Sequence, residues 1–204
     1  MNRKVEKGLA TRRDIVAAAT RLFADLGYGG VSIEAVLGAS RISRGALYHH
    51  FKSKEALFEA VFEAMEIEVA DQVMARSASV GASGGAVAGL RAGCDAFLDL
   101  TLDKAVRQIV LTDAPTALGW EKWREIDERH GFGLLKAALA QVSADGALAA
   151  DLVDIFAHML LASLSEVALL IARAEDPVAA LAHGKAVTRT LLTRILVPTP
   201  PGET

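Results

Sequence analysis

The chain has 204 residues, 52% of them hydrophobic but only 5% aromatic, and a formal net charge of −3. That length supports a real core, in one large domain or two small ones. An apolar mass of Ala, Leu and Val with only five prolines points to an all-α protein of about nine helices. The single cysteine, Cys94, excludes an intrachain disulfide and fits a reducing cytosol. The first residues contain no apolar stretch of the signal-peptide kind, and the longest apolar run, 167–172, falls far short of a membrane span.

In chain order, a first helix is predicted over 11–26. Ile15, Ala18, Ala19, Leu22, Phe23 and Leu26 share one face, Thr11 with Asp14 approximates a capping box, and Gly27 ends the helix. Ser32 is a good N-cap for a short helix over 33–39 whose apolar face holds Ile33, Val36 and Leu37. Ser43 caps a second short helix over 44–50, with Leu47 and Phe51 as its core pair. Ser53 caps a helix to about Met74, on which Glu55, Glu59, Glu63, Glu66 and Glu68 face water. The Ser- and Gly-rich stretch 77–85 reads as flexible. Helices follow over 86–102, 104–112, 118–142, 149–174 and 178–196. Pro115 stops the second of these, and Asp176-Pro177 opens the last.

Between the two short helices and Lys54, the side chains of Arg44, Tyr48, His49, His50, Lys52 and Lys54 are left for other surfaces, beside the small Gly45-Ala46 step. Such a set suits a helix lying in a DNA major groove. The charge distribution agrees. Residues 1–54 hold ten Lys/Arg against four Asp/Glu, whereas the remainder is acidic. A basic head on an acidic body is expected when one end meets phosphates.

The run from Ser43 to Lys54, with Thr11-Arg-Arg-Asp-Ile and Leu22 to Gly27 before it, resembles the helix-turn-helix head of TetR-family transcriptional regulators. The motif resemblance covers about residues 11–60. Beyond residue 80 only helical character matches, although 113–127 looks like one subgroup of the family's C-terminal domains. The resemblance implies a DNA-binding head at 1–54, its motif at 32–51 and its family-type domain reaching about 71. It further implies an effector-binding and dimerisation domain at 55–197, and 198–204 reads as a disordered tail. Tyr48 and His50 stand where family members meet backbone or bases. Arg44 and Gly45 occupy the first turn of the recognition helix, and Lys54 matches the family's phosphate-binding lysine. Ser32 and Ser43 add hydroxyl or N–H contacts to phosphate, or cap and do nothing more. The family usually has Gly where this chain has Arg41, which places a bulky residue in a left-handed turn.

In the body, Cys94, Phe97, Thr101, Trp120, Trp123, His130, Phe156 and His158 are the candidate lining of an effector pocket between helices; ordinary core packing is the alternative for each. Ala162, Ser165, Leu169 and Ala172 form one small apolar stripe, and Val187, Leu191 and Ile195 another. In the family these two helices build a four-helix interface across a two-fold axis, which implies a homodimer. No cofactor is expected. Adjacent His49 and His50 point about 100° apart on a helix and are poor co-ligands, so no metal is expected either.

The expected function is a repressor in the bacterial cytoplasm that binds a palindromic operator in double-stranded DNA and is released by an apolar or amphipathic small molecule. No membrane is involved. The alternative is a DNA-binding regulator without a small-molecule ligand. An enzyme is disfavoured, since no nucleophile–base set, phosphate loop or metal motif is present.

Overall fold

The computed structural model describes residues 3–196, and all regular structure among them is helical. The expected tail, 198–204, lies outside the described residues. Two compact units form, one of Met1–Met65 with Lys104–Arg124 and one of Glu66–Asp103 with Glu125–Thr204. This differs from a division at residue 54.

In the first unit, α1 (Arg3–Gly30) starts well before Thr11. The Thr11 hydroxyl donates to the Lys7 carbonyl one turn back, so the expected capping box at Thr11 does not form. Gly27 breaks the helix as expected, with φ 70° and ψ 167°. Ile15, Ala18, Ala19 and Phe23 are buried, whereas Leu26, placed with them by periodicity, is exposed just before the break. The first turns of α4 (Lys54–Leu100) belong to this unit, because Leu57, Phe58, Val61 and Phe62 are buried. Phe58 meets Phe23 edge-on at 5.0 Å and Tyr28 at 4.8 Å. The excursion 104–124 joins the unit through a π-helical turn, Val106–Asp113, where Asp113 accepts the Tyr28 N–H at 2.6 Å. Lys104 also pairs with Asp25 at 2.6 Å. Pro115 does not stop a helix here. It sits in the first turn of α5 (Ala114–Ala117), where no amide donor is required.

The second unit holds the rest of α4. Residues 77–85, read from sequence as flexible, are helical up to a single reversal at Gly85, with φ 82° and ψ 174°. The two arms then approach closely. A Cβ on Gly89 would lie 3.0 Å from the Ser77 carbonyl oxygen and 3.2 Å from the Gly81 Cα. The small residues serve close helix packing rather than disorder. Glu66, expected in water with its neighbours, is buried.

The helix predicted over 118–142 is interrupted. It divides into α6 (Trp120–Asp127), a π-helical segment (Glu128–Phe132) and α7 (Gly133–Ala144). A 3₁₀ turn, Ala150–Leu152, leads into α8 (Val153–Arg173), and α9 (Pro177–Ile195) follows. Asp176 caps α9 by accepting the N–H groups of Val178 and Ala179. The segment 150–173 is long and apolar enough to cross a membrane. It is nevertheless one-sided. Phe156, Leu160, Leu164, Ala168 and Ile171 recur every three or four residues and are buried, and α8 packs on α7 and α9.

Candidate nucleic-acid interface

The candidate reading surface is α3 (Arg44–His50), set by the turn that follows α2 (Ile33–Ser40). Leu47 is fully buried and Phe51 nearly so, which fixes the face of α3 that points inward. Arg44, Gly45, Tyr48 and His49 are therefore exposed together, with Ala46 and His50 half-buried at the edge. Space around Gly45 is open, with nothing near a Cβ built there. Ser32 and Ser43 act as N-caps, accepting the N–H of Ala35 at 3.1 Å and of Ala46 at 3.3 Å. Arg41 occupies the left-handed position at the end of α2, with φ 56° and ψ 28°, and is the one non-glycine residue of positive φ among those described.

Two of the expected contacts are already engaged within the protein. Arg44 Nη2 donates to Glu34 Oε1 at 2.6 Å, and both side chains are exposed. The Glu34 carboxyl lies below the ordinary carboxylate range, chiefly through a hydrogen bond with its own backbone and then through Arg44. Lys54, expected to meet phosphate, donates instead to the carbonyls of Tyr28 at 2.8 Å and Val31 at 2.9 Å, and lies over the Tyr28 ring. The Tyr28 carbonyl also accepts the Val31 N–H at 3.5 Å, and the ammonium gives it a second, closer donor. Lys54 thus ties α4 to the α1–α2 link with two of its three donors.

Lys52 is exposed, with its ammonium 3.4 Å from the Tyr48 carbonyl. His50 is held below the usual imidazole range, first by burial and then by His49 and Arg12. Arg12 of α1 lies over the Phe51 ring at 5.2 Å. This places another exposed cation beside the end of α3. Sequence reasoning singled out neither Arg12 nor Glu34, because both meet α3 through tertiary packing and neither falls within its periodicity.

The expected effector residues fall in both units. Trp120 and Trp123 lie 4.9 Å apart with their rings tilted by 38° in the first unit, and Trp120 is 63% exposed with Arg124 above it. The others belong to the second unit. There Cys94, Thr101 and Phe156 are buried and Phe97 and His130 half-buried, while His158 is exposed and stacked on Phe132 at 4.3 Å. Phe156 and His158 stand two positions apart on α8, roughly 200° around the helix, so both cannot face inward. Burial pushes the Cys94 thiol up to about 12, which leaves it inert. Among the described residues no group of His, Cys, Asp and Glu could hold a metal ion.

On α8 and α9, Ala162, Val187, Leu191 and Ile195 are exposed, whereas Ser165, Leu169 and Ala172 are half-buried. The fully exposed apolar stripe of α8 is rotated from the expected one and runs through Ile155, Met159, Ala162 and Leu170. The cause is the crossing of α8 and α9 at Gly184, where a Cβ would come within 2.7 Å of Val167 Cγ1. That close approach draws the 165–172 edge partly under cover.

Two family models match the chain. One is described as bacterial regulatory proteins of the tetR family, over residues 15–61, and the other as a tetracyclin repressor-like C-terminal domain, over 87–195. A crystal structure of a TetR-family transcriptional regulator from Pectobacterium atrosepticum is 30% identical with a TM-score of 0.81, covering 98% of this chain and 100% of that one. The structure of AibR in complex with isovaleryl coenzyme A and operator DNA is 24% identical with a TM-score of 0.59, covering 93% and 100%. It shares the fold. The Tn10 TetC protein of Escherichia coli is 39% identical over 59 residues, which are 29% of this chain and 30% of that protein. The matched stretch spans less than a third of the curated relatives' length.

Proposed function

Because the chain belongs to the TetR family of bacterial transcriptional regulators, we propose that it is a dimeric, sequence-specific DNA-binding repressor released from its operator by a small molecule. The observation that carries this reading is α3 itself. Its buried Leu47 leaves Arg44, Gly45, Tyr48 and His49 on one open face, and the small Gly45-Ala46 step lets a helix approach base edges.

Arg44 meets a guanine edge, which requires it to leave or share Glu34. Tyr48, His49, His50 and Lys52 contact backbone or neighbouring bases. The capping hydroxyls of Ser32 and Ser43 sit at helix N-termini suited to phosphate. Lys54 contributes its remaining donor and, above all, the placement of the head.

Dimerisation through α8 and α9 is supported by the exposed apolar side chains Ile155, Met159, Leu170, Val187, Leu191 and Ile195, more than a monomer surface needs. Two copies related by a two-fold axis present two recognition helices to successive major grooves of a palindrome. Effector release is supported by the second unit holding Phe97 and His130 half-buried and Thr101 and Phe156 buried, aromatic and polar side chains alike, and by the AibR complex with isovaleryl coenzyme A, which shares the fold. An apolar or amphipathic molecule suits that lining.

The test is selection from a random duplex pool, followed by anisotropy titration of the enriched sequence. A palindromic site bound by two chains is expected. Failure to enrich any sequence over the pool would overturn the reading.

A further inference from the structure

In the second unit, the helical hairpin closed at Gly85 and helix α9 flank an open cavity of about 350 Å³. Four cations line it, Arg76, Arg91, Lys185 and Arg189, against two acids, Asp95 and Asp99. The acids are already committed. Arg189 holds Asp95 through both Nε and Nη2, and Lys185 pairs with Asp99 at 2.5 Å. Among the described residues Arg76 and Arg91 have no carboxylate partner, so the cavity lining has two positive charges in excess. Arg91 gives one donor, Nη2, to the Thr193 hydroxyl at 3.0 Å, while its Nε is buried with no hydrogen-bond partner. The wall between the cations is small and apolar, with Ala88, Ala92 and Ala96 spaced one turn apart.

We infer that this cavity binds a phosphate monoester, with the dianionic head on Arg91 and Arg76 and the organic part on the alanine wall. Two excess charges match a phosphate dianion, and the planar guanidinium fork matches its oxygens. Lys185 and Arg189 line the same cavity, and their acids set how much charge remains for the ligand. The site shares no residue with α3 or with the effector lining of the second unit, and it stands whether or not the chain represses transcription.

Calorimetry of the free full-length protein with phenyl phosphate, with inorganic phosphate as the comparison, tests it. Saturable binding of phenyl phosphate is expected, tighter than that of inorganic phosphate. Arg91→Gln weakens it by about tenfold or more, the loss of one charge-assisted bond, and Arg76→Ala weakens it by a few-fold. Asp95→Asn has the opposite sign, since it frees Arg189, and tightens binding. Arg76 is exposed, so its replacement leaves the fold intact even where Arg91→Gln does not. Absence of saturation at millimolar ligand, equal affinity for inorganic phosphate, or insensitivity to both Arg76→Ala and Asp95→Asn would each overturn the assignment.

Discussion

Arg44 stands on the exposed face of α3 already paired with Glu34, so the contribution to recognition proposed for it is a difference between two partners. Arg44→Ala is expected to relax preference at one base pair per half-site, by about 1–3 kcal/mol for a bidentate guanine contact. Glu34→Ala removes a negative charge beside the groove. It should tighten binding to all sequences and steepen the salt dependence by about one unit per half-site. Anisotropy titrations at two salt concentrations read both effects. Identical specificity and salt slope in the two variants would show that α3 does not enter the groove by its first turn.

Glu66 poses a different residue-scale problem. Burial, then the neighbouring Asp127, pushes its carboxyl up to about 8. An acid raised in the folded state binds its proton more tightly there than in the unfolded chain. Its contribution to stability is thus complete at low pH and is lost as pH climbs from the ordinary carboxylate range through about 8. Melting curves across that range should show a falling Tm, and Glu66→Gln should flatten the fall by several kcal/mol. An unchanged slope would mean that Glu66 ionises freely.

At the scale of elements, α3 depends on its turn and its anchor. Arg41 holds a left-handed conformation that costs a side chain about 1–2 kcal/mol, while glycine there loses about 0.5–1 kcal/mol of chain entropy. Arg41→Gly should therefore stabilise the protein by up to about 1 kcal/mol, and denaturant unfolding checks it. A loss of stability would show that the exposed Arg41 side chain contributes to the head. Leu47→Ala removes the fully buried anchor of α3 and should cost about 2–5 kcal/mol. Gly184 is as demanding for α9. Gly184→Ala drives a methyl within 2.7 Å of Val167 Cγ1, so the α8–α9 crossing must open and stability must fall.

For the whole molecule, the proposal needs two chains. Light scattering should give twice 21.5 kDa at micromolar concentration. Leu191→Glu places a charge on the exposed stripe of α9, and it should yield monomers that still fold yet bind a half-site only weakly. A monomeric parent protein would remove the basis for a palindromic operator.

Caps, breakers and periodicity act within one or two turns, which made the all-helical class, the caps at Ser32 and Ser43, the start of the last helix at Asp176-Pro177, the break at Gly27 and the inward Leu47–Phe51 pair legible in the chain. The sequence also placed Arg41 in a left-handed turn. Tertiary structure alone decided what those local rules could not reach. Lys54 became an internal tie because its ammonium meets carbonyls more than twenty residues earlier. The small residues of 77–85 read as loose from composition, yet they permit a close helix hairpin, since a missing side chain favours disorder or tight contact depending on what lies opposite. Glu66 and Trp120 exchanged the places their polarity suggests, one buried and one exposed, because burial is set by which faces meet across the fold.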